Sequence, residues 1–167
     1  IAALIRHWAV DPFLSAQVEL HVAGPICREI RGSYPFVIKH GFVPDVTGFY
    51  EGVDFSVNPN IGGSGLKIKS VEALSYGRPL FATASGMLGI SGVAAPYVMP
   101  DVASMTQEMS QALAAAPDLQ AATAWARNTY LDYRRKHVGS FDALLDTVCR
   151  QRAGYRADRS RTGALRA

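Results

Sequence analysis

Between Asn58 and Ile90 the chain reads NPNIGGSGLKIKSVEALSYGRPLFATASGMLGI, and the residue types best suited to chemistry gather there. Gly62, Gly63 and Gly65 surround Ser64. Glycine accepts positive φ and lets the backbone come close to a ligand. A helix is predicted to start near Leu66. Free N–H groups at such a start, together with the helix macrodipole, attract anions such as phosphate. Lys67 and Lys69 place positive charge in the first turns, where it opposes the dipole at a cost of about 0.3–1 kcal/mol that a bound anion would offset. Glu72 shares a helix face with Lys69, and a carboxylate there can accept hydrogen bonds from ribose or sugar hydroxyls. The bland reading of the same residues is a glycine-rich strand-to-helix turn that binds nothing, beside a surface Lys69–Glu72 pair contributing under ~1 kcal/mol. The GKS/GKT ending of a P-loop is absent, and no GxGxxG opens the helix.

The elements that must position this stretch follow from periodicity. Apolar Leu4, Ile5, Trp8 and Phe13 have roughly helical spacing over residues 1–16, broken at Pro12. Val18, Leu20 and Val22 alternate with Glu19 and His21, marking a strand that Gly24-Pro25 stops. A short helix is expected over residues 26–30 and a strand over 36–38. Asp45 is a helix cap for Val46, Phe49 and Tyr50. Residues 54–57 form a strand closed by Asn58-Pro59-Asn60, and Gly77 stops the helix after Tyr76. Residues 79–83 are a further strand. Asp101 or Ser104 caps a helix through Ala115, Pro117-Asp118 opens another to about His137, and Ser140 caps a third to about Arg150. Such alternation predicts an α/β fold: a Rossmann-like, mostly parallel sheet with helices on both faces, followed by C-terminal helices. Trp125, Tyr130 and Tyr133 are expected to pack rather than to stack on a base.

Composition bounds the function. The chain has 167 residues, of which 49% are hydrophobic and 19% charged, a globular balance. We expect one domain over residues 1–150 and an Arg-rich tail over 151–167. From Arg150 onward, Arg150, Arg152, Arg156, Arg159, Arg161 and Arg166 face only Asp158. The tail reads as a solvated end, with contact to anionic lipid as the alternative. Away from it the chain is near neutral, so its basic pI does not point to nucleic acid. Cys27 and Cys149 are far apart and fit free buried thiols of a reducing compartment. His7, His21, His40 and His137 form no ligand cluster in sequence, although His21 and His40 lie near strand ends. Residues 1–8 lack the pattern of a signal peptide, and no apolar run suits a membrane span. The missing initiator Met suggests upstream sequence.

The run Gly65-Leu66-Lys67-Ile68-Lys69-Ser70-Val71-Glu72-Ala73-Leu74, with Gly77-Arg78-Pro79, Ala82-Thr83 and Ser85-Gly86-Met87-Leu88-Gly89, resembles the donor-site segment of the group 1 glycosyltransferases. These are retaining enzymes built from two Rossmann-like halves, the GT-B fold. Leu20 to Gly24 resembles the family's L-x-V-x-G strand. Gly41-Phe42-Val43 with Tyr50 and Asp54 resembles its G-x-V … Y … A-D segment, Val53 standing where Ala is usual. The similarity runs from about Val18 to Ile90.

The resemblance implies that the chain is the C-terminal, donor-binding half of such an enzyme. Gly62, Gly63, Ser64 and Gly65 would lie beside the diphosphate and sugar, and Lys67 and Lys69 near the diphosphate. Glu72 would hold the ribose, and Gly41, Phe42 and Val43 would read the base. Ser64 stands where the first Glu of the family's Glu–seven residues–Glu motif is usual, and Leu88 where many relatives carry Glu. The implied partners are a nucleoside-diphosphate sugar and an N-terminal acceptor domain. That domain, and the first strand of this one with its glycine loop, would precede Ile1. A lipid-linked acceptor at a membrane surface would suit the Arg-rich tail; the location expected is cytoplasmic. No metal or other cofactor is implied, since no DxD-type pair is present, and the resemblance assigns no catalytic residue to this half. The rival readings are another nucleotide-binding Rossmann enzyme, an epimerase or a dehydrogenase, and a non-catalytic binding module of the same fold.

Overall fold

The computed structural model describes residues 1–90 and 97–162, with side chains described as far as residue 140. The chain divides into two compact units, Ile1–Tyr130 and Leu131–Ala167. All the strands among the described residues lie in the first.

Two helices open it, α1 (Ala2–Val10) and α2 (Pro12–Gln17). Asp11 separates them. Its Oδ1 accepts from the backbone N–H groups of Phe13 at 3.0 Å and Leu14 at 2.8 Å. Pro12 takes the first helical position, where its missing N–H costs nothing. The break expected at Pro12 is therefore a second helix start, capped by the preceding residue. Next come β1 (Leu20–Ala23), a 3-10 turn at Pro25–Glu29, β2 (Val37–Gly41), α3 (Val46–Glu51), β3 (Ser56–Asn58), α4 (Ile68–Ser75), β4 (Leu80–Thr83), β5 (Val98–Met99) and α5 (Val102–Ala114).

Among the described residues every strand pairing is parallel, in two small sheets ordered β1-β2 and β3-β4-β5. Leu20 sits opposite Val37, Ser56 opposite Leu80, and Ala82 opposite Val98. β4 is buried along its whole length, as expected of a parallel strand covered on both faces. α4 packs against β3 and β4, and α5 against β4 and β5. α1 packs on α5 as well, so one core joins Leu4, Trp8, Leu14, Leu20, Phe81 and Met105 across both sheets. Tyr97 and Trp125 pack with ring centroids 4.3 Å apart, the packing role expected of Trp125.

Three expectations need correction. The helix of the glycine-rich segment begins at Ile68, with Lys67 as its N-cap, rather than near Leu66. β5 had no signal: it has only two residues, between Tyr97 and Pro100. The two helices expected beyond Pro117 are one, α6 (Leu119–Thr162). Ser140 does not cap a new helix. Its Oγ donates to the Lys136 carbonyl at 2.8 Å, which lets a serine sit inside a helix. The helix carries on into the Arg-rich segment, whose side chains, with that of Cys149, lie outside the described residues.

Candidate functional site

The glycine-rich loop is anchored at both ends by buried and half-buried polar side chains. Asn58, the last residue of β3, donates from Nδ2 to Ser70 Oγ at 2.8 Å and to the Gly86 carbonyl at 3.3 Å. Ser70 Oγ donates to the same carbonyl at 2.6 Å. Thr83 Oγ1 donates to the Asn60 carbonyl and accepts from the Gly86 N–H at 3.0 Å. Ser70 and Thr83 are almost wholly buried, so their hydroxyls need these partners. The network also explains Gly86: a Cβ there would stand 2.5 Å from the Asn58 carbonyl oxygen. Gly89 carries φ +88 and also approaches Leu66 closely, its hypothetical Cβ 2.9 Å from Leu66 Cδ1. Between these anchors, residues 60–66 are exposed.

α4 then begins without a side-chain cap. The Lys67 N–H donates to the Leu88 carbonyl at 3.2 Å, while Ser70 and Val71 donate back to the Lys67 carbonyl at 2.9 and 3.2 Å. The N–H groups of Ile68 and Lys69, at the first helical positions, have no carbonyl of their own helix to reach. Lys67 folds back over the loop, its Nζ donating to the carbonyls of Gly62 at 3.2 Å and Gly63 at 3.1 Å. Lys69 points the other way and pairs with Glu72, Nζ to Oε2 at 2.6 Å. At the far end the helix closes as a Schellman motif. Gly77 has φ +69 and donates to Leu74 at 2.9 Å, and Arg78 donates to Ala73 at 3.0 Å.

Glu72 has a second neighbour. Tyr50 OH on α3 donates to the same Oε2 at 3.4 Å, and the Tyr50 ring stacks on Tyr76 with centroids 4.8 Å apart. Burial, and then the charge of Glu72, push the Tyr50 phenol well above its ordinary range, so it stays a donor. Both contacts fall on Oε2, so Oε1 has neither. The Lys69 side chain is 79% exposed, so its ion pair with Glu72 contributes at most ~1 kcal/mol and a ligand can compete with it.

These groups face a cavity of about 770 Å³ at the C-terminal ends of the strands, lined among others by Phe42, Val43, Asn60, Ile61, Lys69 and Glu72. The size is that of an ordinary small-molecule site. Gly41 ends β2 with φ +66 and turns the chain so that Phe42 is 87% exposed. Phe42, Val43, Lys69 and Glu72, far apart in sequence, thus share one cavity. Gly62, Gly63, Ser64 and Gly65, in the exposed loop beside it, and the half-buried Lys67 at the start of α4 are not part of its lining.

Several residues at the site gave little or no sequence signal. Asn58, Ser70 and Thr83 read as an ordinary strand end, a helix position and a strand residue. Their roles depend on pairings across sixteen to twenty-eight positions. Two of the histidines noted near strand ends come together. His21 Nδ1 lies 2.9 Å from His40 Nε2 with the rings stacked, and His21 Nε2 lies 3.1 Å from Glu19 Oε2. Register places them on neighbouring strands, a pairing invisible at a spacing of nineteen. Cys27 is a free thiol, as expected, but only half-buried, with Sγ 3.1 Å from the Val22 carbonyl. Among the described residues no group of three or more His, Cys, Asp or Glu side chains forms a metal-binding cluster, and no helix is long and apolar enough to cross a membrane.

Comparison with known proteins bears on what this arrangement serves. No curated protein matches the chain. The family model described as glycosyl transferases group 1 matches residues 4–115. That span runs from α1 through the glycine-rich loop, Glu72 and the Schellman turn to the end of α5. The chain belongs to the group 1 glycosyltransferases.

Proposed function

We propose that this chain is the donor-binding half of a retaining glycosyltransferase of the GT-B type, taking a nucleoside-diphosphate sugar in the cavity at the C-terminal ends of its strands. The observation that carries the reading is the convergence of Glu72, Lys69, Phe42 and Val43 on that cavity, beside the uncapped start of α4. Glu72 accepts from the ribose hydroxyls through Oε1, while Lys69 and Tyr50 hold Oε2. The diphosphate lies at the loop Gly62, Gly63, Ser64 and Gly65. There the N–H groups of Ile68 and Lys69 and the Lys67 ammonium face charge that grows as the nucleoside diphosphate departs. Lys67, which binds loop carbonyls without ligand, turns to phosphate when it arrives. Phe42 and Val43, with Gly41 setting the turn, cover the base. The acceptor is held by a separate N-terminal domain, and the enzyme works in the cytoplasm, with a lipid-linked acceptor suiting the Arg-rich segment.

A calorimetric and thermal-shift screen against UDP, GDP, ADP and their sugars tests the reading. One base series should bind and raise the unfolding temperature by mass action, with the free nucleoside weaker than its diphosphate. If every nucleotide leaves the protein unshifted while its fold is intact by circular dichroism, the donor-site assignment is wrong. Binding of a nicotinamide dinucleotide instead would favour a dehydrogenase.

A further inference from the structure

His40 stands outside the regular ladder of its sheet. Along β1 and β2, His21 pairs with Ile38 and Val22 with Lys39, but Ala23 pairs with Gly41, so His40 has no partner on β1. An extra residue of this kind is a β-bulge, and bulges re-aim side chains. Here the re-aimed ring meets the histidine of the neighbouring strand. His40 Nε2 lies 2.9 Å from His21 Nδ1, with the ring centroids 5.1 Å apart and the planes 23° apart. Phe49 of α3 makes a T-shaped contact with the His40 ring at 5.4 Å between centroids, which limits how that ring can turn.

Glu19 settles which nitrogen of His21 is free. An ionised carboxylate can only accept, so His21 Nε2, 3.1 Å from Glu19 Oε2, carries the hydrogen and donates it. The neutral ring therefore presents the lone pair of Nδ1 to His40. A carboxylate behind an imidazole in this way is the usual outer partner of a metal-ligating histidine, fixing its tautomer and orientation. Without a cation, His40 Nε2–H donates to the His21 lone pair. His40 is exposed, so solvent can take the hydrogen from its Nε2 and return one to its Nδ1. Two ring nitrogens with free lone pairs then stand side by side, with no net change in protons.

Two nitrogens bound to one ion at about 2.0–2.1 Å each stand about 2.9 Å apart when they subtend a right angle, and about 3.3 Å apart at a tetrahedral angle. The separation of 2.9 Å between His21 Nδ1 and His40 Nε2 matches the right angle, which tetragonal copper(II) and nickel(II) prefer. We propose that His21 and His40 bind a divalent transition cation of this class, with Glu19 as the orienting partner. Among the described residues no three His, Cys, Asp or Glu side chains form a metal-binding cluster, so water fills the ion's remaining positions. His21 lines both the cavity of Lys69 and Glu72 and a second cavity of about 630 Å³ that shares residues with it, which gives that water room. Magnesium, which takes oxygen ligands, gains nothing from two imidazoles.

Calorimetric titration with copper(II) or nickel(II) chloride in a non-coordinating buffer tests the site. It is run without nucleotide, so that its outcome is independent of the donor-site reading. The chain should take up one equivalent of either ion in its tightest step, and no magnesium there. His21→Ala and His40→Ala should each weaken that step at least about tenfold, and Glu19→Ala by about tenfold or more. His7→Ala and His137→Ala should leave it unchanged. Circular dichroism checks that each variant folds. If His21→Ala does not, His40→Ala and nuclear magnetic resonance of the parent still decide: substoichiometric copper(II) should broaden the ring signals of His21 and His40 before those of His7 and His137. Parent-like affinity in His40→Ala, equal broadening of all four histidines, or no saturable uptake by the parent overturns the proposal and leaves the pair as a plain hydrogen bond.

Discussion

Glu72 meets Lys69 and Tyr50 through a single oxygen, which makes it the most informative residue to change. Glu72→Gln keeps the shape and removes the charge. Charge-assisted hydrogen bonds contribute roughly 1.5–3 kcal/mol, so nucleoside-diphosphate affinity measured by calorimetry should fall at least about tenfold, with the free nucleoside affected to a similar degree. The lysines should behave differently. Lys67→Ala and Lys69→Ala should weaken the diphosphate much more than the nucleoside, and the loss should shrink as salt is raised, because screening already weakens that attraction. Lys67 is expected to show the larger loss, since Lys69 is engaged with Glu72 whereas Lys67 lies over the glycine loop. Unchanged binding in all three variants, against a parent whose binding is measurable, would leave Lys69–Glu72 as a plain surface pair. Sequence spacing placed Lys69 and Glu72 on one face, because a helix fixes that locally. It was silent about Tyr50, twenty-two positions away.

The helix ends were legible at the element scale because caps are local. Asp45 accepts from Gly48 N–H at 3.1 Å and Asp101 from Ser104 N–H at 2.8 Å, and Gly77 closes α4. The Ser104 N–H holds the Asp101 carboxyl below its ordinary range. It therefore protonates at lower pH folded than unfolded. Its contribution to stability is present above the unfolded value and is lost as pH falls through the folded one. Denaturant unfolding of Asp101→Asn between pH 3 and 7, compared with the parent, should show a shallower loss of stability on acidification. Elements fixed by distant partners were not legible: β5 depends on β4 for its whole definition. Gly86, in the 3-10 turn after β4, also depends on a distant partner, its neighbour Asn58 coming from β3. Gly86→Ala should destabilise the fold by about 1–3 kcal/mol, the usual cost of overpacking, and lower the unfolding temperature without ligand. An unchanged melting curve would mean that the Asn58–Ser70–Gly86 cluster yields easily.

For the whole molecule, the proposal assigns recognition of the donor to this chain and the acceptor to a separate domain. The chain on its own should then bind its nucleotide sugar but transfer no sugar; product appearing on any sugar or lipid acceptor in a radiolabel assay would contradict that division. The α/β class was readable from the alternation of strand and helix patterns, and the family from a short Lys-Glu-Gly-Pro block. The way the cavity is assembled was not, because its walls come from the ends of β1, β2 and β3 together. The anchored loop also bears on how such a molecule can diversify. Asn58, Ser70, Thr83 and Gly86 fix the loop from behind, whereas Ile61, at 76% exposure, and Ser64 project from it into solvent. Mutations at these two positions should leave the melting temperature almost untouched. If the loop meets the donor as proposed, mutational drift can rewrite what it offers a sugar without first breaking the scaffold that presents it, and new donor preferences would then arise by single steps.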